Sequence, residues 1–338
     1  MAWPVAQVAS ACYVSAVRPD RARPDGESLR HVAVPYDSDD DLLRLLLPRV
    51  RAALREGRRV LAVVTPARLE LLRDALGGDD ARRLDSRARA SWYAHPHRAL
   101  AACHEYTLGR RTLVVGEPPW PGHGEREVRE WIRYESVVNA ALGGAAAELL
   151  CLYGPRDVPE EARAHVPLTH PYLLGPYGET PSPGFVEPHE LVLTGDDQPL
   201  PGPSGQVESV RFTAPELRRL RHTVGDYARA AGMDRDRAAS LVLSVSEIAA
   251  NSVEHGAGHG TITMWVNGRE LICELADPGG ALEDPLPGYI PPEPESSRGY
   301  GLWISRQLCD LVELRTDDGT LRVRLHMRLG GRRGTGTG

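Results

Sequence analysis

The chain has 338 residues, a formal net charge of −6, 41% hydrophobic residues and 25% charged residues. That length suits two domains of ordinary globular composition, and the acidic balance gives no electrostatic case for a nucleic-acid or membrane partner. All 40 basic residues are arginine, so chemistries that need a lysine are excluded: Schiff-base enzymes, P-loop NTPases and eukaryotic-type protein kinases.

Residues 1–28 turn polar and rich in Pro and Arg, which predicts a disordered tail. HVAVPY then predicts a buried strand, DDDLLRLLLPRVRAALREG an acid-started helix, and RRVLAVVT a second strand. Helices follow near PARLELLRDALGG and HPHRALAACHEYTLG, then the strand RTLVVGEP. A long helix over 125–142 and the strand AELLCLYG complete the series. Strands alternating with helices predict an α/β domain over residues 29–190 with a mainly parallel sheet. Residues 191–206 fall in a stretch rich in Pro, Gly and acidic residues, which predicts a linker.

From residue 207 to 329 the order changes. VESVRFTA predicts a strand, APELRRLRHTVGDYARAAG and DRDRAASLVLSVSEIAANSVEHG two helices. TITMWVNG and ELICELADPGG predict paired strands turning at Asn267-Gly268. A Pro-rich loop leads to the helix RGYGLWISRQLCDLV and a closing hairpin. This predicts an α+β domain, helices on one face of a mixed sheet, followed by a flexible tail at 330–338. The five cysteines form no C-x-x-C pair and sit mostly in apolar runs, which predicts buried free thiols. The N-terminus lacks the pattern of a secretory signal, and no run approaches a membrane span, so a cytoplasmic protein is expected.

The C-terminal part carries the chemistry. Glu247 and Asn251 stand at i and i+4 inside SEIAANSVEHG, on one side of a helix whose other side is apolar. Asp277 ends a strand and is followed by Pro278-Gly279-Gly280. Arg298-Gly299-Tyr300-Gly301 then opens a helix, a setting in which backbone N–H groups bind phosphates. Amide and carboxylate oxygens suit Mg²⁺. Together these parts describe a magnesium–nucleotide site. His255, at the helix end, reads as a residue facing the C-terminal dipole.

The order E-x-x-x-N, D-x-G, R-G-x-G-L resembles the three boxes of the GHKL (Bergerat-type) ATPase fold, shared by gyrase, histidine kinases and anti-sigma-factor serine kinases. SEIAANSVEHG looks most like the anti-sigma, RsbW-like branch. The resemblance implies that Asn251 ligates Mg²⁺ and that Glu247 is the base or orienting group for an attacking hydroxyl. It implies further that Asp277 accepts the adenine amino group, that Gly279 lets the purine approach, and that Arg298, Gly299 and Gly301 wrap the phosphates. Thr320 would support the adenine end. The implied cofactors are ATP and Mg²⁺. The segment DPGGA departs from the family's D-x-G-x-G form, lacking the later glycine. His222, in RRLRHTVGDY, does not resemble a histidine kinase's phosphoacceptor box and reads as a surface residue.

In the N-terminal part, His31, Tyr36, Trp92, Glu135 with Asn139, LCLY and His170-Pro171 resemble the sensory domain called MEDS. A MEDS domain joined to a GHKL domain resembles RsbA-like anti-sigma regulators of actinobacteria. That implies an ATP-binding anti-sigma factor with serine/threonine kinase activity toward an anti-sigma antagonist, controlled by an unknown signal ligand. A sigma factor or antagonist is the implied partner and a homodimer the implied assembly. The alternative is a non-catalytic GHKL-fold module that sequesters its partner. Glu135 and Asn139 repeat the E-x-x-x-N spacing with no glycine loop after them, and read as polar-face or packing residues. The spacing of His95, His97, Cys103 and His104 fits no usual zinc pattern.

Overall fold

The computed structural model describes residues 28–120, 124–155, 158–193, 200–280, 282, 284–292 and 300–330. Most of both expected tails, Cys12, Arg298 and Gly299 therefore lie outside the described residues. In the N-terminal part the elements are β1 (Arg30–Pro35), α1 (Asp39–Arg55), β2 (Arg59–Val63), α2 (Pro66–Leu76), α3 (Gly78–Arg83) and β3 (Leu84–Ser86). Then come α4 (Arg89–Trp92), α5 (Pro96–Thr107), β4 (Thr112–Gly116), α6 (Glu125–Ala141) and β5 (Ala147–Tyr153). α7 (Glu160–Thr169), β6 (Tyr172–Gly175), β7 (Gly178–Pro181) and α8 (Pro188–Leu193) close it.

The seven strands form one sheet in the order β3-β2-β4-β5-β1-β6-β7. Every pairing is parallel except β6 with β7. Period-two alternation splits each central strand between two cores. Ala33, Leu149, Cys151 and Tyr153 face one core with α5, α6 and α7. Val32, Val34, Leu150 and Leu152 face the other, with α1. Two buried faces explain why these strands read as continuous apolar runs. α1 starts where Ser38 accepts from the Asp41 amide at 3.2 Å, behind three aspartates suited to the helix N-terminus. The hairpin β6–β7 closes one edge of the sheet. Its edge place, with Gly178 at φ +113, tolerates the prolines around it.

The C-terminal part contains β8 (Val207–Thr213), a 3-10 turn, α9 (Leu217–Ala230), α10 (Arg235–Glu254), β9 (His259–Asn267) and β10 (Glu270–Pro278). α11 (Tyr300–Leu308), β11 (Leu311–Asp317) and β12 (Thr320–Arg328) follow. The five-stranded sheet runs β11-β12-β10-β9-β8. All its pairings are antiparallel, where a mixed sheet was expected. The helix pair α9–α10 brings the chain back as β9 beside β8 in the opposite direction, so β8 needs no parallel crossover. One face packs Ile262, Met264, Leu271, Cys273, Leu275 and Leu325 against Leu241, Val245 and Ile248 of α10. Cys103, Cys151, Cys273 and Cys309 are buried free thiols. No helix among the described residues is long and apolar enough to cross a membrane.

The two parts touch through several polar links. His95 Nε2 donates to the Asp310 carbonyl (3.0 Å), Arg98 to that of Gln307 (2.8 Å), and Gln307 Nε2 to that of His97 (3.1 Å). Arg126 of α6 pairs with Glu270 at 2.7 Å, and Arg328 with Glu127 at 2.8 Å. The segment between β10 and α11 adds an apolar contact: Leu286 and Tyr289 are buried in the core that contains α5 and α6.

Candidate functional site

Helix α10 organises the site. Its N-terminus is capped by Asp234, which accepts from the Arg237 amide at 2.9 Å. Its apolar stripe pins one side to the sheet, so Glu247, half-buried, and Asn251, exposed, stand on the side left over. They lie one turn apart, about 6 Å along the axis. The start of α11 comes down on this pair. A Cβ added at Gly301 would sit 3.0 Å from Asn251 Nδ2 and 3.3 Å from Glu247 Cβ. Glycine is what lets the two helices meet here.

The second half of the site lies at the same end of α10. Asp277, at the end of β10, is 4% exposed. Ser252 Oγ donates to its Oδ2 at 2.8 Å, and the Ala257 amide donates to its Oδ1 at 3.1 Å. A Cβ at Gly256 would fall 1.9 Å from Asp277 Oδ2. The carboxylate is thus held in place by the last turn of α10. After it, Gly279 takes φ +94 and donates its N–H to the Gly319 carbonyl at 2.8 Å. A residue with a side chain is strained in that conformation. Open space lies where its Cβ would be, with nothing within 4 Å. Thr320 pairs with Pro278 across the β10–β12 ladder, so Asp277, Gly279 and Thr320 form one corner.

Of the expected site residues, Glu247, Asn251 and Gly301 come together, as do Asp277, Gly279 and Thr320, and Ser252 joins the groups by standing beside Asn251. Arg298 and Gly299 lie outside the described residues. Ser252 and Gly256 were missed, although both were legible as a polar residue in the apolar stripe and a glycine after the helix. His255 caps the C-terminus of α10 and is exposed, as is His222. We expect Gly256→Ala to displace Asp277 and destabilise the fold by about 1–3 kcal/mol. Urea melts alongside nucleotide titration check this, and an unchanged midpoint would refute the account of how Asp277 is held.

The segment after β10 is also latched from below. Arg306 of α11 is 2% exposed. Its Nε donates to the Pro287 carbonyl (2.9 Å) and its Nη1 to that of Val312 (3.1 Å). Its guanidinium lies over the Tyr289 ring, 3.8 Å from the centroid. His97 also stands against Tyr289, with ring centroids 5.2 Å apart. Burial, with Arg306 and His95 nearby, depresses the His97 pKa to about 4 despite the Glu130 carboxylate. Burial opposes ionisation of Glu130, yet the Arg133 and His97 side chains hold its carboxyl well below the usual range.

In the N-terminal part, of the two readings of Glu135 and Asn139, packing holds and the polar face does not. Glu135 is 1% exposed and faces His31 and His170, and Asn139 Oδ1 lies 3.1 Å from His31 Nδ1. α6 is packed between the sheet and α7 and α8, so it has no open side at this position. Tyr36 is buried on the opposite sheet face, and Trp92 packs partly buried against the α6 core.

Residues 30–171 match the family described as MEDS, the methanogen/methylotroph, DcmR sensory domain. Residues 210–327 match the histidine kinase-like ATPase domain. No curated protein matches the chain. Among solved structures it is similar to the RsbU and RsbW domains of Rv1364c from Mycobacterium tuberculosis, at 18% identity and a TM-score of 0.28. That alignment covers 36% of this chain and 32% of that one, an overlap too partial to bear on the fold. The chain therefore joins an N-terminal MEDS domain to a C-terminal histidine kinase-like, GHKL-type ATPase domain.

Proposed function

We propose that this chain is a cytoplasmic signal-transduction regulator, an ATP-binding anti-sigma factor that phosphorylates an anti-sigma antagonist on serine or threonine. The MEDS domain, over 29–190, would control the ATPase-type domain, over 207–329. The observation that carries the reading is the meeting of Glu247 and Asn251 with Gly301 at one end of α10, beside the Asp277–Gly279 corner. The residues fit an adenine nucleotide: a buried carboxylate stands at the strand end, with open space at the positive-φ glycine beside it. When bound, ATP supplies the phosphoryl group and Mg²⁺ neutralises phosphate charge.

In this reading Asn251 offers its amide oxygen to the ion, and Asp277 accepts from the adenine amino group. Gly279 and Thr320 shape the adenine end. Arg298, Gly299 and Gly301 hold the phosphates. Glu247 orients the partner's hydroxyl and takes its proton. Positioning and electrostatics carry most of phosphoryl transfer, so few residues are needed. The docking of Leu286 and Tyr289 in the N-terminal core supports control by the MEDS domain, because the chain that follows the Asp277–Gly279 corner is anchored there.

The same docking favours a second reading, a non-catalytic module whose nucleotide only sets its grip on a sigma factor. Transfer of labelled phosphate to a candidate antagonist decides between them. In the kinase reading Glu247→Gln lowers transfer about 100-fold or more with ATP affinity nearly unchanged. Transfer that survives the substitution refutes Glu247 as base, and absent transfer by wild-type protein that binds both ATP and antagonist establishes the module.

A further inference from the structure

Four metal-ligating side chains meet inside the MEDS domain, well away from the nucleotide corner. His31 projects from β1 and Cys151 from β5, on the sheet face that α6 covers. Glu135 comes from α6, and His170 caps the end of α7. All four are buried, and one ligand atom from each lies within 4.8 Å of the others. His31 Nε2 is 3.3 Å from Cys151 Sγ and 3.3 Å from Glu135 Oε2. His170 Nε2 is 3.4 Å from the same oxygen.

The hydrogen bonds behind the rings decide which nitrogens face inward. Asn139 Nδ2 donates to the carbonyls of Ser136 (3.0 Å) and Thr169 (2.8 Å), which turns its Oδ1 toward His31. His31 Nδ1–H therefore donates to Asn139 Oδ1 at 3.1 Å. His170 Nδ1–H donates to the Val166 carbonyl at 3.0 Å, with Thr169 Oγ1 at 2.9 Å. Both imidazoles thus carry their proton on the far nitrogen and present a bare Nε2 lone pair to the cluster. That outer-shell pattern is the one metal-bound histidines use.

Inside the cluster, lone pairs face a carboxylate. Both Glu135 oxygens are buried without a backbone, hydroxyl or arginine donor among the described residues, and the basic groups paired with it there are the two imidazoles. A Cys151 S–H can serve His31, and the Tyr153 hydroxyl, 3.4 Å away, can serve His170. The same thiol is also within hydrogen-bond reach of Glu135. A weak thiol donor leaves a buried carboxylate poorly compensated, and a cation among these atoms would supply the charge.

We propose that His31, Glu135, Cys151 and His170 form a binding site for one divalent transition-metal ion, with zinc the ion best suited to the donor set. Two imidazoles, a thiolate and a carboxylate suit a tetrahedral zinc ion, whose bonds of roughly 2.0–2.3 Å place its ligands about 3.3–3.7 Å apart. The close pairs, at 3.3 and 3.4 Å, lie at the short end of that range, and the wider ones, all within 4.8 Å, draw in on binding. Coordination takes the thiol as thiolate, releasing its proton to solvent. Four protein ligands fill the coordination shell, as in sites that hold a fold together.

The test is metal analysis of the full chain, purified without chelator or affinity metal. One zinc equivalent per chain is expected, and cobalt replacement should give a thiolate-to-cobalt absorption band. Cys151→Ser should remove the band, and Cys103→Ser, a buried thiol outside the cluster, should keep it. Asn251→Ala should also keep it, which separates this site from the nucleotide's Mg²⁺. Because a ligand variant can fail to fold, the wild-type protein is also melted with and without zinc after chelation, and a rise in Tm with zinc is expected. Wild-type protein that takes up neither zinc nor cobalt, or a band retained by folded Cys151→Ser, overturns the proposal.

Discussion

Replacing Asn251 by alanine is expected to weaken Mg²⁺-dependent ATP binding by about 100-fold or more, roughly 2.7 kcal/mol, while folding stability moves by no more than about 0.5 kcal/mol. The separation follows from where the residue stands. Asn251 is exposed on α10 and belongs to none of the packed clusters. Alanine is also the better helix former. Nothing in the fold needs the amide, so its loss should register only in the ligand. Calorimetric titration with ATP, with and without Mg²⁺, checks this beside a urea melt. Equal affinity in the variant would remove Asn251 from the site, and the assignment of Glu247 beside it would lose its main support. Asp277 could not provide so clean an experiment, because Ser252 and Ala257 bind it into the end of the helix.

The second large effect is expected at Arg306. Arg306→Ala should cost on the order of 3 kcal/mol, since it empties a fully enclosed volume and strips the Pro287 and Val312 carbonyls of their donor. It should also free Tyr289 from its stacked guanidinium, raising protease sensitivity between β10 and α11. Arg306→Lys should rescue little, because an ammonium cannot provide the two in-plane donors and the flat face over the ring. A double-mutant cycle with Tyr289→Ala isolates the coupling. Additive effects would mean that the stacking does not hold the segment. If ATP binding rises when the latch is cut, the docked position is restraining. If binding is unchanged, control by the MEDS domain through this contact is refuted.

Much of this architecture was legible before any coordinates. Alternation of apolar runs with amphipathic stretches marked the parallel sheet, because strands buried on both faces must be apolar throughout. The change to helices followed by hairpins marked the second sheet. The hairpin at Asn267-Gly268 needed only local turn chemistry. What failed to show was whatever depends on the neighbour across space. Tyr289 and Leu286 sit in a Pro-rich loop, and become core only because α5 and α6 receive them. The burial of Arg306 follows from the loop that crosses it at Pro287.

The two E-x-x-x-N pairs show the division most plainly. Helical periodicity by itself placed Glu135 with Asn139, and Glu247 with Asn251, each pair on one face of a helix, since 3.6 residues per turn permits nothing else. The chain's own glycines and strand-ending aspartate pointed to the second pair as the nucleotide-facing one. Only packing decided what each face meets. α10 has the sheet on one side and leaves Asn251 open to solvent, whereas α6 is enclosed and turns Glu135 toward two imidazoles and a thiol. Spacing is a property of the backbone and is written in the sequence. Burial, and with it the charge a carboxylate demands around it, is set by elements far apart in the chain.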